Sequence, residues 1–458
     1  MTACVRDAAN DAGAPALLGK LDAIGVVFGA WRYSDPGRLI AAEVGAANAR
    51  TLLSFHGGNT PQSYVNALGQ RIQNGDLDVA VIMGAETIWS RRRMRRNGID
   101  RVVTEQSGVT PDERFQADVA MSTEFEASRG LQQPVNFYPI FESAIGANRG
   151  RTIDEHRTAL ADLWAGFNRV AVDNPHGWNR TPMTASEIRE PGPTNRMVGF
   201  PYTKAMNSNW DLDQGAAILM CSAAAAEAAG VPRDRWVFPH AGTDGHDTYS
   251  VTNRRDLHSS PAIAAAGARL YELTGTGADD LGHIDLYSCF PSAVQIGAAE
   301  LGIGLDRQLT VTGGLCFAGG PLNNYVSHSI ATMVGVLRND AGSLGLVTAN
   351  GGYITKHALG LYSTEPAGHA FVTEDVQALI DTVPAKEADE AFTGDGLIEA
   401  ATVMHDRNGP ATGLAAVQTP FGARTWASTE DGDTMSFLMS DDAVGAACTI
   451  DRDGHLLW

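Results

Sequence analysis

The chain of 458 residues is long enough for about three compact units with a sizeable core, and 34 Lys and Arg against 53 Asp and Glu give a net charge of −19, which disfavours a general role on nucleic acid or anionic lipid. No stretch reaches the roughly 18 to 20 uninterrupted apolar residues of a membrane span, and the N-terminus MTACVRDAANDAG has no apolar signal core, so a cytoplasmic location without membrane contact is expected. Cys4, Cys221, Cys289, Cys316 and Cys448 are scattered with no C-x-x-C pair, which leaves no metal site and points to thiols rather than a disulfide framework.

The chain opens inside a helical stretch, TACVRDAANDAG. Residues 60–73 predict a helix, with Thr60 as N-cap, Pro61 at its first position, and Tyr64, Val65, Leu68 and Ile72 at helical spacing. VAVIMGAE (79–86) is a continuous apolar run of strand length, suited to a sheet covered on both faces. From 87 to about 200 Arg, Pro, Asn and Trp rise, as in RRRMRR, NPHGWNR and EPGPTNR, and this reads as an insertion covering a site. Within it Thr152 and Glu155 form a capping box that starts a helix to about residue 172.

GAAILMCS (215–222) and WVFPHAG (236–242) predict strands, AAAAEAAG (223–230) and SSPAIAAAGARLYELTG (259–275) helices. IATMVGVLRND (330–340) followed by SLGLVTANGG (343–352) repeats the helix, turn, strand order of 60–86, with Asn74 and Asn339 in matching places, so an internal duplication of α/β layers is expected. Beyond about 380, short β-prone runs joined by Asn-Gly and Asp-Gly turns predict a small all-β module that begins between 375 and 395. STEDGDTM (428–435) lacks calcium-loop spacing and reads as hairpin turns. No phosphate loop, dinucleotide fingerprint or zinc-protease helix is present.

Three segments together resemble the thiolase superfamily: GGLCFAGGPLNNY (313–325) resembles its Gly-His-Pro loop, AMNSNWDLDQGAAILMCSAAAAEAAGV (205–231) its Asn and Asp-Gly-Ala stretch, and NGGY (350–353) stands where its Cys-x-Gly loop would be. The NPHGW and TKHALGLYS segments and the extra C-terminal module are most similar to the thiolase-like type 1 proteins, which are described as acetyl-CoA acetyltransferase-like. The resemblance implies an α/β, duplicated, five-layered αβαβα fold. Residues 1–235 would form the first half, with its loop domain at about 87–200, residues 236–380 the second, and 385–458 an added OB-like β module. Thiolase halves begin with a strand, so the first strand is expected to be missing here and the natural chain to start further upstream.

The chemistry implied is acyl transfer in lipid metabolism, with a CoA thioester as substrate or ligand and no covalently bound cofactor. That chemistry needs a nucleophilic cysteine, a histidine that activates it, a second cysteine and an oxyanion hole. By the resemblance, Gly58 of HGGNTPQS takes the nucleophile position and Gly320 that of the Gly-His-Pro histidine, while Tyr287 or a neighbour takes that of the Asn or His, and Thr348 or Ala349 that of the second cysteine. The usual catalytic side chains are thus absent.

Cys289, Cys316, His328 and His357 are the replacement candidates, a Cys–His pair if the loops converge and otherwise packing groups. His56 is either a general base or a loop-fixing hydrogen bonder. Gly57, Gly58 and Asn59, with Gly319, Gly320, Asn350 and Gly351, offer either backbone N–H groups for a thioester oxygen or tight-turn geometry. Arg91, Arg92, Arg93, Arg95 and Arg96 form a dense basic run that either holds CoA phosphates or nucleic acid, or is a solvated face paired with acidic neighbours. The expected function is therefore a CoA-thioester-binding, acyltransferase-like protein without the usual catalytic set. The alternative is an inactive scaffold whose C-terminal module binds a protein or polyanion partner.

Overall fold

The structure is a computed structural model describing residues 1–458. Two five-stranded sheets and one seven-stranded sheet carry the fold. The first sheet contains β1 (Ala23–Val26), β2 (Arg50–Ser54), β3 (Val79–Thr87) and β4 (Glu113–Phe115); β5 (Met197–Gly199) and β6 (Tyr202–Thr203) join the third sheet, and β7 (Asp213–Cys221) completes the first, in the order β4-β2-β1-β3-β7. The second sheet is β12-β8-β11-β10-β9, from β8 (Phe238–His246), β9 (Leu281–Asp285), β10 (Leu344–Gly351), β11 (Lys356–Ser363) and β12 (Val372–Asp375).

The duplication is visible in the pairing. β1 runs parallel to β3 and β7 antiparallel to it; β9 runs parallel to β10 and β11 antiparallel to it. Helices Thr60–Gln73 and Tyr325–Asn339 pack on each other and lie between the sheets, which accounts for the nine buried residues of the first. Thr2–Asp11 covers β7 from outside and Pro261–Thr274 covers β8 and β11, so the layers run αβαβα.

One asymmetry separates the two sheets. β8 flanks β11, but no strand pairs with the outer edge of β7. β11 is buried throughout, whereas β7 is fully buried only at Ala216.

Local chemistry sets the boundaries. Ser260 accepts from the Ile263 N–H and Gly275 closes the same helix in the left-handed conformation. The Thr152 capping box forms as expected. Two expectations are corrected. Asn59, not Thr60, is the N-cap of the 60–73 helix, because Thr60 already has helical geometry. STEDGDTM is not a hairpin: Asp431 accepts from the Thr434 N–H at 2.8 Å and starts the helix Gly432–Leu438.

The C-terminal module is therefore a sheet with one helix. Its strands β13 (Gly394–His405), β14 (Pro410–Gln418), β15 (Arg424–Thr429), β16 (Ala447–Ile450) and β17 (Leu456–Leu457) follow the order β15-β14-β13-β16-β17 and recruit β5 from the insertion through Met404 and Gly199. Arg424, at 0% exposure, fastens this sheet to the second half. It pairs with Glu399 and donates to the carbonyls of Val251, Thr252 and Arg254 at 3.2, 3.1 and 2.7 Å. Burial alone would raise the Glu399 carboxyl, but Arg424 and Lys386 hold it below its ordinary range. Replacing Arg424 by Met leaves the Glu399 carboxylate with Lys386 alone and the Thr252 and Arg254 carbonyls without their donor, and the expected loss is about 3 kcal/mol, read as a lower midpoint of urea unfolding.

Candidate functional site

The N-terminal end of the 60–73 helix and the turn between β10 and β11 meet where the two halves face each other. The backbones come so close that a Cβ on Gly58 would lie 2.3 Å from the Asn350 carbonyl oxygen and 2.6 Å from Tyr287 Oη. One on Gly351 would lie 2.5 Å from Asn59 Oδ1 and 3.2 Å from the Gly57 Cα. Both glycines are required by close approach rather than by turn conformation. The expected grouping of Gly57, Gly58, Asn59, Asn350 and Gly351 is thus brought together.

Asn323, which no sequence motif singled out, ties a third loop to this point. Its Oδ1 accepts from the Gly57 N–H at 3.2 Å, its Nδ2 donates to the Phe28 carbonyl at 2.9 Å, and the same nitrogen lies 3.4 Å from His56 Nδ1. Lys356 is the second residue missed: it is buried, and its ammonium donates to the His56 carbonyl. Burial lowers the basicity of both Lys356 and His56, with exposed Asp118 opposing the shift in each. His56 is held in the loop by these contacts.

The main-chain N–H groups of Gly58 and Asn59 have no acceptor, whereas that of Gly57 is taken by Asn323. They lie at the start of a 14-residue helix, where the backbone dipole favours negative charge. Asn59 Oδ1, Asn350 Oδ1, His357 Nε2 and Ser288 Oγ are buried without a hydrogen-bond partner. Such atoms can take a hydrogen bond from a bound molecule or from water. Tyr287, Thr348, Asn350 and His357 line a small cavity with Ile263, Ala293 and Leu359.

The three non-glycine residues with left-handed backbone also gather here. Ile354 (φ 54°) follows the NGG turn, Leu322 (φ 48°) precedes Asn323, and Gln116 (φ 65°) accepts from Asn59 Nδ2 at 3.3 Å. Such conformations cost of order 1–3 kcal/mol each and persist where the surroundings impose them.

The replacement nucleophiles are not assembled. Cys289 is buried, desolvation pushes its thiol up to about 12, and the Tyr138 hydroxyl is its polar neighbour. Cys316 is also buried, with its thiol raised by desolvation, and lies 3.7 Å from the Cys289 carbonyl. A thiol in that state is not a nucleophile at neutral pH. His328 lies on helix 325–339, lowered to about 4 by desolvation with His176 adding repulsion, so it is a neutral ring at pH 7. His357 lies on β11 with Nε2 3.6 Å from Asp247, whose carboxyl is held down by His357 and Arg254 against the opposing effect of burial. No hydrogen bond joins either thiol to a histidine.

Gly319 and Gly320 stand apart from Gly58, connected to it through Asn323. They pack on the start of β7 and the stretch before it: Gly320 donates to the Asn209 carbonyl at 2.8 Å, and a Cβ on Gly319 would lie 2.3 Å from Gln214 Oε1. The arginine run on helix Ile88–Arg96 divides: Arg91 pairs with Glu86 and Arg92 with Asp211, while Arg93, Arg95 and Arg96 have no ion pair.

Two α/β halves related by duplication, facing each other across central helices with glycine loops at the helix and strand ends, define a thiolase-fold protein. The thiolase-like protein type 1 additional C-terminal domain matches residues 375–455. The crystal structure of a monomeric SCP2-thiolase like protein type 1 from Mycobacterium smegmatis superposes with a TM-score of 0.86 at 30% identity, over 100% of this chain and 93% of that one. The chain belongs to the thiolase-like protein type 1 family. The fold is shared more distantly with the Ltp2-ChsH2(DUF35) aldolase (TM-score 0.60, 19% identity, 79% of this chain and 91% of that one). It is shared also with the dimeric peroxisomal thiolase of Saccharomyces cerevisiae (TM-score 0.52, 14% identity, 76% and 86%). No curated protein matches the chain.

Because the space beside Gly58 is filled by a carbonyl that cannot swing away, Gly58→Ala is expected to cost about 3 kcal/mol, the upper end for overpacking, with denaturant unfolding as the readout.

Proposed function

We propose that the protein binds a CoA thioester where the glycine loops meet, and that it does so without forming an acyl-enzyme. The observation that carries this reading is the combination at Gly58: two free N–H groups at a helix start, and no room for a nucleophilic side chain beside them. The N–H groups of Gly58 and Asn59 suit a thioester carbonyl oxygen, which they would polarise. The unpartnered acceptors Asn59 Oδ1 and Asn350 Oδ1 suit the amide N–H groups of a pantetheine arm. Tyr287, with its hydroxyl raised well above the ordinary range by burial, acts as a neutral wall or hydrogen-bond donor, not as a base.

On this reading the acetyl-CoA acetyltransferase-like label describes ancestry. A cytoplasmic setting in lipid metabolism accords with it, and no helix is long and apolar enough to cross a membrane.

A second reading has its own observation. The C-terminal module exposes Phe421 (89%) and Trp458 (63%), the latter stacked on Phe437, with Leu397 and Leu457 half exposed. Such side chains suit a protein partner, and the protein then acts as a scaffold whatever its thioester affinity.

Isothermal titration of the full chain with CoA and acetoacetyl-CoA separates the two. Micromolar binding supports the thioester reading. Absence of heat with both ligands at millimolar concentration removes it and leaves the scaffold.

A further inference from the structure

Next to the glycine loop 313–321 the chain exposes three tryptophans together. Trp89 is 41% exposed, Trp178 37% and Trp210 49%, and the Trp89 and Trp178 rings meet edge to face at 6.1 Å. They come from three separate segments held by main-chain bonds. The Trp178 N–H donates to the Ala318 carbonyl at 2.8 Å, Asn209 beside Trp210 accepts from Gly320 at 2.8 Å, and the Trp89 N–H donates to the Leu212 carbonyl at 3.2 Å. Indoles clustered on a surface by fixed backbone contacts leave apolar area in water at a cost that a ligand would remove.

The charge beside them is specific. Arg92 lies 4.7 Å over Trp210 and Arg93 5.3 Å over Trp89. Arg93, Arg95 and Arg96 are exposed and without carboxylate partners, a concentration of unpaired positive charge in a chain of net charge −19. Indole faces stack planar bases, and guanidinium groups bind phosphate oxygens in a planar, two-pronged geometry. An acidic protein partner would use the guanidiniums and leave the rings idle; a purely aromatic ligand would do the reverse.

We propose that this surface binds the nucleotide end of a CoA molecule, with the base on the tryptophans and the phosphates on Arg93, Arg95 and Arg96. The pantetheine arm then passes Trp178 toward the glycine loops. The inference rests on the thioester reading for the destination of the arm, while the nucleotide surface itself stands on the tryptophans and arginines.

Adenosine 3′,5′-bisphosphate, which lacks the arm, tests it directly by tryptophan fluorescence at low salt. Saturable quenching that weakens with salt, and at least about tenfold weaker binding in the R93A/R95A/R96A variant, is expected, tenfold being the scale of one lost charge-assisted hydrogen bond. Those side chains are exposed, so the variant keeps its fold, and W178F gives an independent check through altered quenching. Quenching by the bisphosphate with no calorimetric response to acetoacetyl-CoA beyond it upholds the surface and defeats the thioester reading. CoA binding unchanged in the triple variant defeats the surface and upholds the thioester reading. No quenching, or a single-stranded RNA oligomer bound far more tightly than the bisphosphate, overturns the proposal.

Discussion

The structure turns on a contact in which two backbones touch. Gly57 and Gly58 at the head of one central helix lie against Asn350 and Gly351 at the end of a strand from the other half, and neither side leaves space for a Cβ. Interiors are packed densely enough that one extra methyl there must displace something, and the displaced group would be a carbonyl fixed within a sheet. The closeness draws Asn323, Lys356 and His56 into one set of hydrogen bonds. It also leaves no room for a side chain at Gly58, the position to which the proposed reading assigns the missing nucleophile. On the proposed reading, the geometry that welds the halves together is also what precludes an acyl-enzyme at Gly58.

What the proposed reading rests on is the electrophilic character of the site. Free N–H groups at a helix start, acceptors without donors and left-handed turns at Gln116, Leu322 and Ile354 support a binding site there, while both thiols lie in the core. Cys289 and Cys316 illustrate the trade: desolvation makes them good packing groups and poor nucleophiles. His328 is similarly spent as a neutral ring, and as pH falls from the ordinary histidine range toward about 4 the unfolded chain takes up a proton that the folded one refuses, so its contribution to stability is lost over that window.

Much of the fold was legible because its signals are local. Pro61 and the Asn74-Gly75 turn bracket the 60–73 helix, and the apolar run of β3 and the Thr152–Glu155 box each carry their own structure. The glycine positions of the site were legible through a family likeness. Asn323 and Lys356 were not, since their partners lie 266 and 300 residues away and nothing in their neighbours announces it. The left-handed backbone at Leu322 and Ile354 is equally silent, being imposed by packing on residues that do not favour it. Asp431 was misread because an Asp that turns the chain and an Asp that caps a helix use the same side-chain bond.

The account stands or falls on whether the site still takes an acyl group. Intact mass spectrometry of the full-length protein after incubation with acetoacetyl-CoA at neutral pH, quenched in acid, answers this in one step. An unchanged mass, alongside calorimetric binding of the same ligand, is what a filled nucleophile position demands. A mass increase of one acetyl group, mapped by proteolysis to Cys289, Cys316 or any residue of the glycine loops, would contradict it.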